Sequence, residues 1–461
     1  MANYQLIVIG AGPGGYVAAL QAAKLGMKVA VVENRESGGT CLNRGCIPTK
    51  TMLHSSHLYH QMLHSADMGI VAGGIQVDME AIYARKNQIS QKLSSGIDSM
   101  FKSAKVDKLI GTGMVMDSHT VQVTGPEGIE VHTADNIIVA TGSVPARPPI
   151  PGLDLPGIMT SDDLLDGSAK EISSIVIIGG GVIGVEFATF YNDLGCEVTI
   201  VEGLDQLLPN MDRELGQSLA QCLKKRGIQI YTKAMVERIE KDGEEFSIHF
   251  SAKGEAVCLN AKSVLCAIGR RPNTEGVFAP GLNPEMVGRS LKVDERFQTS
   301  IPNVYAIGDV SSRIQLAHVA SAQGTACVEM ICGKEPSVDL SIVPSCVYCR
   351  PEVAAVGMTE QEAKDAGIAV KVGKCVMHSN GRTVIEDSDR SFMKVVAAVE
   401  DHRILGAQFM CCRSTDMISQ IAQAIANRMT ARQLLLAMRP HPTFEEALGE
   451  ALEDLIGKLE K

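Results

Sequence analysis

Two cysteines, Cys41 and Cys46, stand in the run Gly38-Gly39-Thr40-Cys41-Leu42-Asn43-Arg44-Gly45-Cys46-Ile47-Pro48-Thr49-Lys50. Paired thiols can make and break a disulfide. In a regular helix, rising about 1.5 Å per residue, this spacing would hold them too far apart to bridge. Asn43-Arg44-Gly45 must therefore form an irregular turn, with Cys46 near a helix start. A thiolate there is favoured by the helix dipole, and Lys50, four residues on, adds positive charge to the same face. The bland alternative is two unrelated buried thiols, the reading preferred for Cys196, Cys222, Cys266, Cys327 and Cys375. Glycine-rich flanks favour an active turn at Cys41 and Cys46.

Just upstream lies Gly10-Ala11-Gly12-Pro13-Gly14-Gly15, after the apolar run Gln5–Gly10 and before an alanine-rich helical stretch, Val17–Leu25. A second apolar run, Lys28–Val32, ends at Glu33. Strand, tight turn, helix and strand make one βαβ unit. The pattern recurs at Ile175–Ile178, Gly179-Gly180-Gly181-Val182-Ile183-Gly184 and Val198–Val201, ending at Glu202. Glu33 stands 23 residues after Gly10, and Glu202 stands 23 after Gly179. In each unit the first glycine permits the turn, the second lets backbone approach a pyrophosphate, and the third permits helix–strand packing. The helix N-terminus offers N–H groups to phosphate, and the acid accepts from a ribose hydroxyl. Two such units imply two nucleotide sites, and Glu202 would repel a 2′-phosphate, favouring NAD(H). A dinucleotide loop beside a thiol pair suggests electrons passing between a flavin and sulfur.

A third candidate lies in Arg439-Pro440-His441-Pro442-Thr443-Phe444-Glu445-Glu446. The prolines restrict the backbone on both sides of His441. Glu446 has two readings: a capping box with Thr443 as N-cap, or acceptor from one His441 ring nitrogen, leaving the other free as a base. His54, His57, His60 and His64 share a helical stripe, read as a packed or solvated face rather than a metal site. Cys346, Cys349, Cys411 and Cys412 could ligate zinc only if the fold gathered them, and no metal is expected.

Composition narrows the class. The chain has 461 residues, too many for one core. It lacks Trp, has 4% aromatics and carries a formal net charge of −10, which argues against nucleic-acid or anionic-lipid partners. No apolar run approaches the roughly 20 residues of a membrane span. The start, Met1-Ala2-Asn3-Tyr4-Gln5, shows neither a basic leader region nor a cleavage site and enters a strand almost at once, so a cytoplasmic protein is expected. The 13 cysteines are an odd number without scaffold spacing, as for mostly reduced thiols.

Pro145, Pro148, Pro149 and Pro151 mark a crossover between the two units, with others near Gly269–Asn273 and Gly333–Pro344. Beyond these, short strands (Ala354–Val356, Met393–Ala398, Leu405–Met410) alternate with helices (Ile418–Asn427, Thr430–Ala437, Phe444–Lys458) as an α+β layer.

These motifs, with Ala140-Thr141-Gly142-Ser143, Gly269–Thr274, Tyr305–Val310, Leu316-Ala317-His318 and His441-Pro442-Thr443, run through nearly the whole chain. Together they resemble the dihydrolipoamide dehydrogenase family of class I pyridine nucleotide–disulfide oxidoreductases. The resemblance implies an α/β protein: two Rossmann-like domains, for FAD and NAD, plus a C-terminal α+β dimerisation domain. It implies an FAD domain over residues 1–148, an NAD domain over 149–270, a second FAD segment over 271–340 and an interface domain over 341–461. It implies a Cys41–Cys46 redox disulfide in which Cys41 is the interchange thiol and Cys46 lies against the flavin. Lys50, paired with Glu186, would sit near the flavin. FAD would be held by Gly10, Gly12, Gly14, Gly15, Glu33, Gly113, Thr141, Gly142, Asp309 and Ala317. Gly179, Gly181, Gly184, Glu186, Glu202, Val236 and Gly269 would line the NAD site. His441, assisted by Glu446, would be the base acting on the other subunit of a homodimer. The implied reaction oxidises dihydrolipoamide with NAD⁺; the lipoyl group would arrive on a lipoylated acyltransferase or on the glycine cleavage carrier protein.

Three departures bear on substrate preference: Cys349-Arg350-Pro351-Glu352 where relatives tend to read Thr-His-Pro-Glu, Arg439 where many have histidine, and Cys411-Cys412-Arg413-Ser414. They are expected near the interface and the substrate entrance. Glutathione reductase is a rival reading that Glu202 opposes. Mercuric reductase carries a cysteine pair close to its C-terminus, and Cys411 and Cys412 lie too far upstream of Lys461 to fill that place simply. A non-catalytic scaffold is opposed by the presence of Cys41, Cys46 and His441, and a physiological NADH oxidase or diaphorase is the remaining rival.

Overall fold

The computed structural model describes residues 3–167, 172–386 and 390–461. Met1 and Ala2, part of the leader reading, lie outside the described residues; the strand expected there spans Tyr4–Ile9. It opens the first βαβ unit. It pairs in parallel with Val29–Glu33, Val8 opposite Val31, and with Gly128–Val139, Val8 opposite Ile138. Every residue of Val29–Glu33 is buried, as a parallel strand covered on both faces requires. The helix between them starts at Pro13, earlier than Val17, because proline suits the first turn where its missing N–H costs nothing.

The second unit repeats this plan. Ser174–Ile178 pairs in parallel with Glu197–Val201 and with Ser263–Cys266 in a five-stranded sheet. After it the chain returns to the first sheet, where Val304–Ala306 pairs with Ile137–Val139. The proline-rich crossover and the one near Gly269 meet: Ser143–Pro145 and Arg270–Pro272 form a two-stranded ribbon, Arg271 opposite Val144. Prolines are tolerated there because a ribbon edge does not need every N–H.

The C-terminal layer is a five-stranded sheet that includes Val353–Gly357, Ile404–Met410 and Phe392–Ala398, with helices Ser414–Ala426 and Glu446–Leu459 on it. Phe392–Ala398 is buried along its whole length. Its edge strand Val370–Val376 is not among the strands expected, nor is the separate antiparallel sheet Ala234–Asp242, Glu245–Ala252, Glu255–Ala261, although Asp242-Gly243 and Lys253-Gly254 mark its two turns in the sequence. The helix expected over Thr430–Ala437 is shorter, Ala431–Leu435.

Gly15 and Gly184 make the βαβ units possible. A Cβ on Gly15 would stand 1.8 Å from Gly10 O, and one on Gly184 would stand 1.9 Å from Gly179 O. Gly184→Ala must push its helix off the sheet. The expected cost is on the order of 1–3 kcal/mol, read as a lowered melting temperature of the purified protein. An unchanged melting curve would contradict this packing.

Candidate active site

The two glycine turns face one continuous cleft of about 1740 Å³. That exceeds the roughly 300–1,000 Å³ of a single small-ligand pocket and suits two dinucleotides. Gly10 and Gly179 adopt φ of 105° and 110°, left-handed conformations that favour glycine. Gly12 and Gly181 precede helices Pro13–Lys24 and Val182–Asp193, and neither helix start is capped by a side chain. A Cβ on Gly181 would meet nothing within 4 Å, so the backbone N–H groups face open cleft. The acids match in detail. Glu33 accepts from Ala11 N and Arg35 N, both at 2.8 Å; Glu202 accepts from Gly180 N at 2.5 Å and Leu204 N at 2.7 Å. Both carboxylates are buried at the cleft wall, with lone pairs left for ribose hydroxyls. These features fit dinucleotides bound in both units.

Between the turns stand the thiols. Cys41 lies in a short helix, Gly39–Asn43, and Cys46 is the first residue of the helix Cys46–Leu63, with Arg44 and Gly45 making the break. Both cysteines are free thiols in hydrogen-bond contact with each other at the cleft wall. The Cys46 thiol is pulled down to about 7, first by the hydrogen bond from Cys41; burial opposes this and the Lys50 ammonium reinforces it. The same hydrogen bond, with burial, pushes Cys41 far up. Above about pH 7 the shared hydrogen bond therefore favours the proton on Cys41 and the negative charge on Cys46.

Lys50 Nζ donates to both oxygens of Glu186, at 2.9 and 2.8 Å. Burial opposes the ammonium, but Glu186 and Cys46 hold it above its ordinary range. Glu186 Oε1 also accepts from Tyr348 N at 3.1 Å, and Lys50 Nζ lies 4.8 Å from the centre of the Tyr348 ring. Tyr348 lines the cleft, as do Ser143, Arg270 and His318. Ser143 Oγ donates to Asp309 at 2.6 Å and accepts from Arg270 Nε at 2.8 Å; burial raises the Asp309 carboxyl. The motif Ala140–Ser143 was the signal from which Ser143 could have been assigned. Nothing in the local sequence marks Tyr348.

Of the expected site residues, Gly10, Gly12, Gly14, Glu33, Cys41, Cys46, Lys50, Gly113, Thr141, Gly142, Gly179, Gly181, Glu186, Glu202, Val236, Gly269, Asp309 and Ala317 line the cleft. Gly15 and Gly184 do not; they act through packing. His441 and Glu446 also lie outside it. The His441 side chain is 78% exposed, and its Nδ1 is 2.8 Å from Glu446 Oε1. The capping-box alternative is corrected. The helix starts at Glu446, and the Thr443 hydroxyl donates to Pro440 O instead of capping it. Only half of that box survives, Thr443 N donating to Glu446 Oε2 at 2.9 Å. Two flanking prolines bend the chain so that the threonine hydroxyl meets a carbonyl behind it.

Arg350 is not at an entrance. Its Nη2 is 2.5 Å from the buried Asp193. In the histidine stripe, His57 and His60 are held down to about 4, first by burial and then by Arg350. Among the described residues no group of three or more His, Cys, Asp or Glu side chains is arranged to hold a metal.

Residues 4–324 match the family described as pyridine nucleotide-disulphide oxidoreductase, and residues 343–452 match its dimerisation domain. The chain belongs to the pyridine nucleotide-disulphide oxidoreductases. It is 38% identical over 458 residues to a dihydrolipoyl dehydrogenase of Bacillus subtilis, covering 98% of this chain and 96% of the relative. It is 37% identical to the mitochondrial dihydrolipoyl dehydrogenase of Pisum sativum, covering 97% and 90%. Among solved structures it resembles LpdA from Mycobacterium tuberculosis (TM-score 0.88, 27% identity, 97% and 99% covered). It also resembles RclA from Escherichia coli, described as an HOCl-induced flavoprotein disulfide reductase (TM-score 0.85, 28% identity, 98% and 99% covered). As a pyridine nucleotide-disulphide oxidoreductase the protein is an enzyme that uses FAD and NAD(H), and its dimerisation domain makes it a homodimer. Among the described residues no helix is long and apolar enough to cross a membrane.

The charge around Cys46 gives a signed prediction. In the reduced enzyme the thiolate is present above about pH 7 and lost below it. Lys50→Met removes a stabilising charge and should move that midpoint up; Glu186→Gln removes a repelling one and should move it down. Thiol alkylation against pH reads both, and midpoints that stay in place would exclude Lys50 and Glu186 as the tuning charges.

Proposed function

We propose that the protein is a dihydrolipoamide dehydrogenase, oxidising protein-bound dihydrolipoamide to lipoamide with reduction of NAD⁺. The observation that carries this reading is the Cys41–Cys46 pair, set in the wall of a cleft that also takes in both glycine turns. A soluble disulfide could be served by the same pair, but Glu202 disfavours NADPH. The relatives named dihydrolipoyl dehydrogenase cover almost the whole chain.

The first glycine turn, with Glu33, Gly113, Thr141, Gly142, Asp309 and Ala317, would hold FAD. The second, with Glu186, Glu202, Val236 and Gly269, would hold NAD⁺. The bound cofactors supply the hydride chemistry. This chain's residues handle thiols and protons. Glu446 fixes His441 through Nδ1, leaving Nε2 free to take a proton from one substrate thiol. The substrate thiolate attacks Cys41 Sγ of the oxidised pair. A substrate–Cys41 bond forms as the Cys41–Cys46 bond breaks, and Cys46 leaves as a thiolate beside Lys50 and a helix N-terminus. The second substrate thiol displaces Cys41, closing the lipoamide disulfide and leaving two electrons on the protein thiols. His441 lies outside the cleft of its own chain, so it would serve the pair of the partner subunit.

The lipoyl group would come on a lipoylated acyltransferase of a 2-oxo acid dehydrogenase complex or on the glycine cleavage carrier protein.

The deciding assay is steady-state turnover with dihydrolipoamide and NAD⁺, run beside glutathione disulfide and NADPH. Turnover only of glutathione disulfide would refute the reading. Cys41→Ser should abolish lipoamide turnover with FAD still bound, by the flavin spectrum. His441→Gln should slow the dithiol half-reaction by about 100-fold or more and leave NADH reduction of a dye unchanged. Equal losses in both would make His441 structural.

A further inference from the structure

His441 sits on a loop that the rest of the chain barely covers. From Leu436 to Pro442 every residue is exposed except Arg439, and Leu436 and Met438 are 85% and 96% exposed. Apolar packing within the chain therefore cannot hold this segment in one place. A base must stay within hydrogen-bond reach of the proton it takes, and a misplacement of about 1 Å can cost 100-fold. Within its own chain, polar contacts are what hold it.

Two side chains do so from opposite sides. Asn380, itself buried, is locked by its own acceptor: Oδ1 takes hydrogen bonds from Thr383 N and Thr383 Oγ1, both at 3.0 Å, at the start of the helical turn Gly381–Ile385. That fixes which end of the amide points away, and Nδ2 donates to Thr443 O at 3.0 Å. Thr443 is two residues from His441, and its own N–H donates to Glu446, the carboxylate that orients the imidazole. On the other flank the Arg439 guanidinium folds back onto the end of helix Ala431–Leu435. Nη1 donates to Ala437 O at 3.1 Å and Nη2 to Leu434 O at 3.4 Å, partners that a helix C-terminus leaves open. The Arg439 stem crosses to the last helix, where a Cβ on Gly449 would lie 3.6 Å from Arg439 Cδ.

We infer that Asn380 and Arg439 are positioning residues for His441: they clamp the two ends of its loop, so that the imidazole and Glu446 are presented to the partner subunit in a fixed geometry. The inference rests on His441 being the base of the proposed reaction.

Asn380→Asp separates the two roles of Asn380. The carboxylate keeps the acceptor that Thr383 needs and loses the donor to Thr443 O. Arg439→Met keeps the stem beside Gly449 and removes the donors. Both are to be made in the FAD-loaded dimer, alone and together with His441→Gln. Each single variant is expected to slow the dithiol half-reaction on the order of tenfold, while NADH-dependent dye reduction holds. On the His441→Gln background neither should cost anything further, because residues acting through one group are not additive. Unchanged dithiol rates would overturn the inference. So would equal losses with dithiol and dye, or full additivity with His441→Gln, since those belong to a merely structural role. If His441→Gln slows the dithiol step and the two anchor variants do not, the inference alone fails. If His441→Gln itself leaves the step intact, the assignment of the base falls and the inference with it.

Discussion

The buried ion pair of Lys50 and Glu186 is the interaction on which the rest of the site depends. Glu186 is 3% exposed, and a carboxylate so placed is costly unless its lone pairs are filled. They are filled from two directions, by the Lys50 ammonium and by the Tyr348 N–H. Lys50 belongs to the cysteine helix, Glu186 to the helix of the second βαβ unit, and Tyr348 to the C-terminal layer. One carboxylate therefore registers three layers against each other at the cleft wall. The same ammonium reinforces the Cys46 thiolate that the Cys41 hydrogen bond favours, so thiol chemistry and domain placement share a residue.

A second polar rung repeats the arrangement seven residues along the same helix. Asp193 accepts from Ser56 of the cysteine helix at 3.1 Å, from Arg226, and from Arg350 of the C-terminal layer. Glu186 and Asp193 are two turns apart, as Lys50 and Ser56 nearly are, so the two helices meet at matched heights on matching faces. Arg350 takes no part in the thiol chemistry, for it lies against Asp193 instead of the cleft. Its charge is absorbed by Asp193, and it adds to burial, the larger cause, in holding His57 and His60 down to about 4.

The site is divided by its own geometry. Everything that handles the thiol pair's electrons lines one cleft, while the imidazole and its carboxylate stand on an exposed loop elsewhere on the same chain. In the proposed mechanism, a dimer built through the C-terminal layer would turn that separation into a division of labour between subunits. It also explains why the loop needs polar anchors, for its apolar residues face outward.

Much of this was legible in the order of residues, because it depends on neighbours along the chain. The glycine turns, the acids 23 residues later, the broken helix between Cys41 and Cys46, and the proline-bound His441 follow from backbone sterics and helix-end electrostatics, which act over a few residues. Even so, local rules left Glu446 with two readings, and packing chose between them by starting the helix at Glu446 instead of after Thr443. Only the tertiary structure joined Glu186 to Tyr348 across 162 positions, Asn380 to Thr443 across 63, and Ser143 to Asp309 across 166. Such pairs leave no spacing in the sequence, for what selects them is the burial of a polar group that must find a partner wherever the packed layers bring one.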